Sequence, residues 1–215
     1  EYKYITVGDH AEKIALATYG GIFTLTRQTV INDDMDMLMG VPMKMGKAAK
    51  RTIGDLFWAV LTKNGNMNDG KALFHSAHGN LSSGAPSVEA FSIAAELMES
   101  QMIGESPLNI MPAFALVPPN LKRAVLQIIQ STSVKGTDAN SGIANDFVEV
   151  LSEPRLKAKS DKEWYLSAAQ GEDTIEVAYL DGIDTPYIEQ QQGFTVDGVA
   201  TKVRIDAGVA PLDHR

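Results

Sequence analysis

Hydrophobic and polar positions divide the chain into a β-rich opening, a helical middle and a β-rich end. Residues 2 to 7, YKYITV, and 14 to 27, IALATYGGIFTLTR, are rich in β-branched and aromatic side chains and flank the polar turn GDHAEK. That pattern predicts one long hairpin. An isolated two-stranded hairpin is marginal in water, so this one is expected to lie against something else, another chain included. Next, INDD supplies capping side chains at Asn32, Asp33 and Asp34, and apolar residues recur at Leu38, Val41, Met45, Ala48, Ala49, Ile53, Leu56, Phe57, Val60 and Leu61. Spaced three or four apart, they predict one apolar stripe on a helix of up to about 28 residues, roughly 42 Å long. Pro42 either kinks this helix or marks its true start.

After a loop region at 64 to 85, Ser87 is placed to cap a second helix through Val88, Phe91, Ala94, Ala95, Met98 and Met102, ending at Gly104. NIMPAFALVPP reads as a buried strand, and Pro119 suits the first turn of a third helix carrying Leu121, Ala124, Val125, Ile128 and Ile129. The small, polar run 131 to 146 reads as a mobile surface loop. Beyond it FVEVLSE, EWYLSA, TIEVAYL, PYIEQQ, FTV and VATKVRID read as strands, with a hairpin signal at Asp197-Gly198. No internal repeat and no low-complexity segment appears.

Composition narrows the class. The 215 residues, 44% hydrophobic and 21% charged, suffice for one large or two small domains with a substantial core. No run approaches the roughly 18 apolar residues of a membrane helix, and no signal peptide is expected from the opening residues. The first residue is Glu1, so the sequence is expected to be a part of something longer. The absence of cysteine excludes disulfides, cysteine-ligated zinc and thiol catalysis, and fits a reducing interior. A net charge of −8 argues against a general nucleic-acid-binding surface, which needs clustered Lys and Arg. One such cluster, Lys44, Lys47, Lys50 and Arg51, lies on the long helix. It reads first as a solvated face and second as an anion-facing or partner-facing patch.

Candidate chemistry is sparse. His75 and His78, in DGKALFHSAHGNL, are placed to share a helical face and ligate a metal. A structural site needs four ligands and a catalytic one usually three; only Asp69 or His10 is at hand to join them. Both histidine ring nitrogens also hydrogen-bond, so the favoured reading is structural: the pair fastens a glycine-rich loop. GNMNDGKA, from Gly65, matches a phosphate loop for seven positions and fails at Ala72, which has no hydroxyl for magnesium. DDMD, Asp33 to Asp36, lacks the later ligands of a calcium loop and reads as a helix cap. No G-x-S-x-G or H-E-x-x-H occurs. Met35, Met37, Met39, Met43 and Met45 read as core filling before an adaptable interface.

LATYGGIFTLTRQTVINDD, DGKALFHSAHGNL, PLNIMPAFALVPPNL and the ending GFTVDGVATKVRIDAGVAPLDHR together resemble the Mu-like major head subunit family, major capsid proteins of tailed phages and prophages. The resemblance runs in order from about residue 14 to the end. It implies an α+β fold of the Hong Kong 97 capsid type. On that pattern residues 1–30 are an extended β-hairpin loop, 31–85 a peripheral domain with a spine helix, 86–178 an axial domain whose 131 to 146 loop points to the capsomer axis, and 179–215 the return strands. On the same pattern the family's N-terminal arm is expected to fall outside this sequence. The function implied is a self-assembling icosahedral shell of pentamers and hexamers around double-stranded DNA, with scaffold and prohead protease as partners. The shell is assembled in the bacterial cytoplasm and ends in the virion. No catalysis, cofactor, metal or membrane is implied. Tyr19, Gly20, Gly21, Phe23 and Arg27 are the expected lateral contacts, with the glycines permitting a bend; His75 and His78 pin the turn leaving the spine helix; Lys44, Lys47, Lys50 and Arg51 face DNA. The rival readings are a cellular nanocompartment shell around a cargo enzyme and, behind it, a soluble α/β enzyme with an acidic cleft.

Overall fold

The computed structural model describes residues 12–32, 40–130, 149–171, 174–193 and 198–215. In chain order the elements are β1 (Ala17–Thr26), α1 (Arg27–Asn32), α2 (Val41–Lys63), a 3-10 turn (Ser76–His78), α3 (Val88–Glu99), β2 (Met102–Ile103), β3 (Ser106–Pro107), β4 (Phe114–Val117) and α4 (Lys122–Gln130). There follow β5 (Glu149–Ser152), α5 (Pro154–Lys159), β6 (Tyr165–Ser167), β7 (Ile175–Tyr179), a second 3-10 turn (Leu180–Gly182), β8 (Tyr187–Gly193) and β9 (Gly198–Pro211). Two compact units emerge. One gathers Lys13–Val60 and Ile175–Ala210; the other gathers Leu61–Thr174 and Pro211–Arg215 with Glu12.

In the first unit β9 is the central strand. β1 pairs with it antiparallel from Ala17 opposite Ala207 to Thr26 opposite Gly198. β8 pairs with it from Tyr187 opposite Arg204 to Gly193 opposite Gly198, and β7 joins the same sheet. The hairpin expected around Asp197-Gly198 is therefore present as the β8–β9 pair, with FTV and the turn itself outside the described residues. Of the opening hairpin, residues 2 to 7 also lie outside them, and the described partner of β1 is β9. Alternation along β1 turns Tyr19 toward the sheet's core, where it packs with Ala49, Leu56, Val177 and Tyr179 on buried Ile53, Ile205 and Ala207. The strand stops at Thr26, and Arg27 opens the short helix α1.

Helix α2 has 23 residues, about 34 Å at 1.5 Å per residue. Of the two roles open to Pro42, it takes the second. Proline lacks an amide hydrogen, which costs nothing in the first turn, where the donor has no helical partner. Gly40 precedes the helix and its carbonyl accepts from the Lys44 amide at 3.1 Å. The DDMD cap, Met35, Met37 and Met39 lie outside the described residues.

The second unit is built on Phe91, fully buried with Ala115, Val117, Val125 and Ile129. Trp164 packs on Phe91 at 4.7 Å between ring centroids, and its indole donates to the Gly84 carbonyl at 3.1 Å. β4 is the middle of a three-stranded sheet, parallel to β5 and antiparallel to β6. Parallel neighbours need a crossover, and α4 lies on it. Ser87 caps α3 as its sequence indicates, its hydroxyl accepting from the Ala90 amide at 3.1 Å. The helix, however, ends at Glu99 rather than near Gly104. Met102 continues the apolar spacing, yet Gly104 adopts φ 61°, and the chain reverses there into the β2–β3 hairpin. The run 131 to 146 lies outside the described residues.

Candidate functional site

The stretch leaving α2 is tied by side chains standing in for backbone. Asn64 closes the helix at φ 47°. Its amide accepts from the Phe74 amide at 2.7 Å and donates to the Phe74 carbonyl at 3.2 Å. Between them Gly65 to Ala72 folds as a tight turn: the Leu73 amide donates to Gly65, the Met67 amide to Lys71, and the Gly70 amide to Met67. Asp69 accepts from the Lys71 amide at 2.9 Å. A phosphate loop needs those amides free for the anion, so this segment cannot act as one.

His75 and His78 do different work. His75 caps the 3-10 turn, its Nδ1 accepting from the Ala77 amide at 3.1 Å. His78 is buried, with Nδ1 3.1 Å from the Leu73 carbonyl and Nε2 2.8 Å from Asp69 Oδ2. Both ring nitrogens therefore face acceptors, one a backbone carbonyl and the other a carboxylate. The ring thus bridges the two, with the Asp69 oxygen in its shorter hydrogen bond. That hydrogen bond first, and the Lys71 amide second, hold Asp69 down at about 2. The His214 ring stacks on His78 at 4.0 Å and is pressed below its ordinary value, first by burial and next by His78.

Asn80 completes the tie. It accepts from the His75 amide at 3.0 Å and donates to the carbonyls of Leu73 at 2.8 Å and His214 at 2.7 Å. Gln101 reaches the carbonyls of His78 and Gly79. Arg215, held by Asp213 at 2.9 Å, reaches the Met102 carbonyl at 3.3 Å. Thus the glycine-rich turn, the start of β2 and the last residues of the chain meet around one ring. Among the described residues no group of three His, Cys, Asp or Glu is placed to hold a metal. Sequence reasoning had singled out the two histidines and Asp69, but not Asn64, Asn80 or His214.

A depressed carboxyl contributes stability above its ordinary 3.8 that is lost as pH falls through about 2. Wild-type protein is accordingly expected to lose stability over that window more steeply than Asp69→Asn, which starts lower at neutral pH. Thermal melts followed by circular dichroism across the window measure this; parallel pH dependences would contradict it.

The expected lateral contacts lie along β1 and at the start of α1. Tyr19 and Phe23 are half-buried on one face of β1, Gly20 and Gly21 are exposed, and Arg27 is exposed at the start of α1. Gly20 has a local reason to be glycine: a Cβ there would stand 2.6 Å from the Val203 carbonyl oxygen of β9, whereas nothing lies within 4 Å of one at Gly21. Lys44, Lys47, Lys50 and Arg51 are all exposed on α2.

A parallel-crossover sheet in one unit, and in the other a long helix with a sheet centred on the C-terminal strand, define the Hong Kong 97-like capsid fold. The chain belongs to the phage capsid protein family, whose pattern it matches over residues 11–215; it is a structural capsid protein and a virion component. Among solved structures it is similar to the capsid of Ralstonia phage GP4, at TM-score 0.63 and 12% identity over 92% of this chain and 69% of that one. The capsid of cyanophage Pam1 gives 0.59 at 10% identity over 94% and 72%. The SrpI encapsulin of Synechococcus elongatus gives 0.56 at 12% identity over 93% and 71%. No curated protein matches the sequence.

Proposed function

We propose that this chain is the repeating major head subunit of a Mu-like tailed phage or prophage. It assembles through pentamers and hexamers into an icosahedral shell around double-stranded DNA, and acts without a catalytic step. The match to the capsid family over residues 11–215 carries this reading, and the four motif segments of the sequence supply its Mu-like specificity. Residues 1–30 serve as the extended loop, 31–85 and 179–215 as the peripheral domain, and 86–178 as the axial domain. The last span lies mostly in the unit built on Phe91. His75 and His78 pin the turn after the spine helix. Scaffold and prohead protease act during assembly in the bacterial cytoplasm.

The fold similarity to an encapsulin favours one second reading, a nanocompartment around a cargo protein. Shell contents separate the two. Particles purified from cells and treated with nuclease are expected to retain double-stranded DNA. Nucleic-acid-free particles holding one folded cargo protein would favour the compartment.

A further inference from the structure

We infer that the basic arc of α2 is a docking surface for the acidic, apolar segment 180 to 189 of a second copy of this chain. The inference rests on the shell reading. Lys44, Lys47 and Arg51 recur at three and four residues along one side of the helix, with Lys50 beside them, all exposed. None makes an ion pair with another described residue, and the arc ends at Asp55. Met43, at its edge, is 68% exposed. A bare thioether beside a row of cations suits a protein surface that offers both carboxylates and aliphatic groups; phosphate backbone offers only charge.

Segment 180 to 189, LDGIDTPYIE, has that makeup. Leu180 is 48% and Ile183 59% exposed, and Asp181 and Asp184 are exposed between and after them. Farther along, Tyr187 and Ile188 stand exposed at the start of β8, every residue of which is exposed although β9 pairs one edge. Glu189 lies opposite Lys202 in that ladder, which leaves Asp181 and Asp184 as the carboxylates open to a partner. With each copy at −8, neighbours repel overall, and a local meeting of opposite charges fixes which surfaces approach. Two different patches that recognise each other make a heterologous contact, the kind that repeats around a ring.

Charge exchange in the full-length protein tests the pairing. Lys47→Glu with Arg51→Glu, and separately Asp181→Lys with Asp184→Lys, should each lower the yield of shells about tenfold, and combining all four changes should restore it. Because the chain lacks cysteine, a mixture of Lys47→Cys and Asp184→Cys subunits, oxidised within shells, should also give disulfide-linked dimers that neither variant gives alone. This second readout stands even where a charge variant folds poorly. Wild-type yield from either charge pair, no rescue on combination, or no mixed dimers would overturn the pairing and leave the shell reading intact. Normal shells that lose only their DNA would assign the arc to nucleic acid and overturn it too. A wild-type protein that forms no shells would remove the shell reading and this inference together.

Discussion

Replacing His78 by alanine is expected to loosen the second unit by about 2–4 kcal/mol. The ring is buried, and removing it takes away the donor to the Leu73 carbonyl, the partner of Asp69 and the stacking surface of His214. Asn80 still donates to Leu73, which keeps the loss below that of a wholly orphaned carbonyl. Released with the ring are the last residues of the chain, so hydrogen exchange should speed up at Leu212 to Arg215 and at Leu73 to Asn80 together. His75→Ala removes an exposed cap bond to Ala77 and an edge contact with the His78 ring at 6.0 Å and should cost about 1 kcal/mol or less. Equal effects of the two changes on denaturant midpoints would contradict the division of labour between the histidines.

The second large effect concerns two adjacent glycines. Gly20→Val is expected to break the register of β1 against β9, because its Cβ meets the Val203 backbone carbonyl, an atom that no rotamer change moves aside. Overpacking of this kind costs about 1–3 kcal/mol, and here it falls in the middle of a ten-residue ladder. Gly21→Val meets nothing within 4 Å and places a β-branched residue in a strand, where such residues are favoured. The first variant should lower Tm; the second should leave it unchanged. If Gly21→Val nevertheless abolishes assembly, a lateral contact at that point follows directly, since the fold is intact. If both variants melt alike, the close approach of β9 at Gly20 is not what selects glycine there.

How far the sequence carried the fold depends on where each determinant lay. Ser87 and the apolar spacing from Val41 to Leu61 act within a turn or two of themselves, so the start of α3 and the body of α2 were legible, while the start of α2 stayed open between Pro42 as kink and Pro42 as first turn. Alternation marked β1, β7, β8 and β9 as strands because period two shows in any short window. It did not point to β9, the described partner of β1. Thr18 hydrogen-bonds to Asp206, 188 positions away, and nothing in a strand's own pattern encodes such a partner. The end of α3 was misplaced for a related reason. Met98 and Met102 keep helical spacing, and only the reversal at Gly104 and the pairing of Met102 with Pro107 stop the helix. Helix α5 went unread, although Glu153 and Pro154 form its start, with the Glu153 carboxylate accepting from the Arg155 amide at 3.1 Å.

The histidine site shows the same division. That His75 and His78 fasten a turn follows from their neighbours, since a glycine-rich loop has backbone groups to satisfy. The ring beneath His78 comes from His214, and the Asn80 bond to that residue spans 134 positions. No motif joins them. Histidine and asparagine near two chain segments are common, and only folding shows that these converge.

The central claim is that this chain builds a shell. Electron microscopy of the high-molecular-weight fraction of the full-length protein, co-expressed with the proposed scaffold and protease, tests that most directly. Uniform, thin-walled polyhedral particles built from pentamers and hexamers are expected. A protein that stays monomeric or forms only small oligomers under those conditions would contradict it.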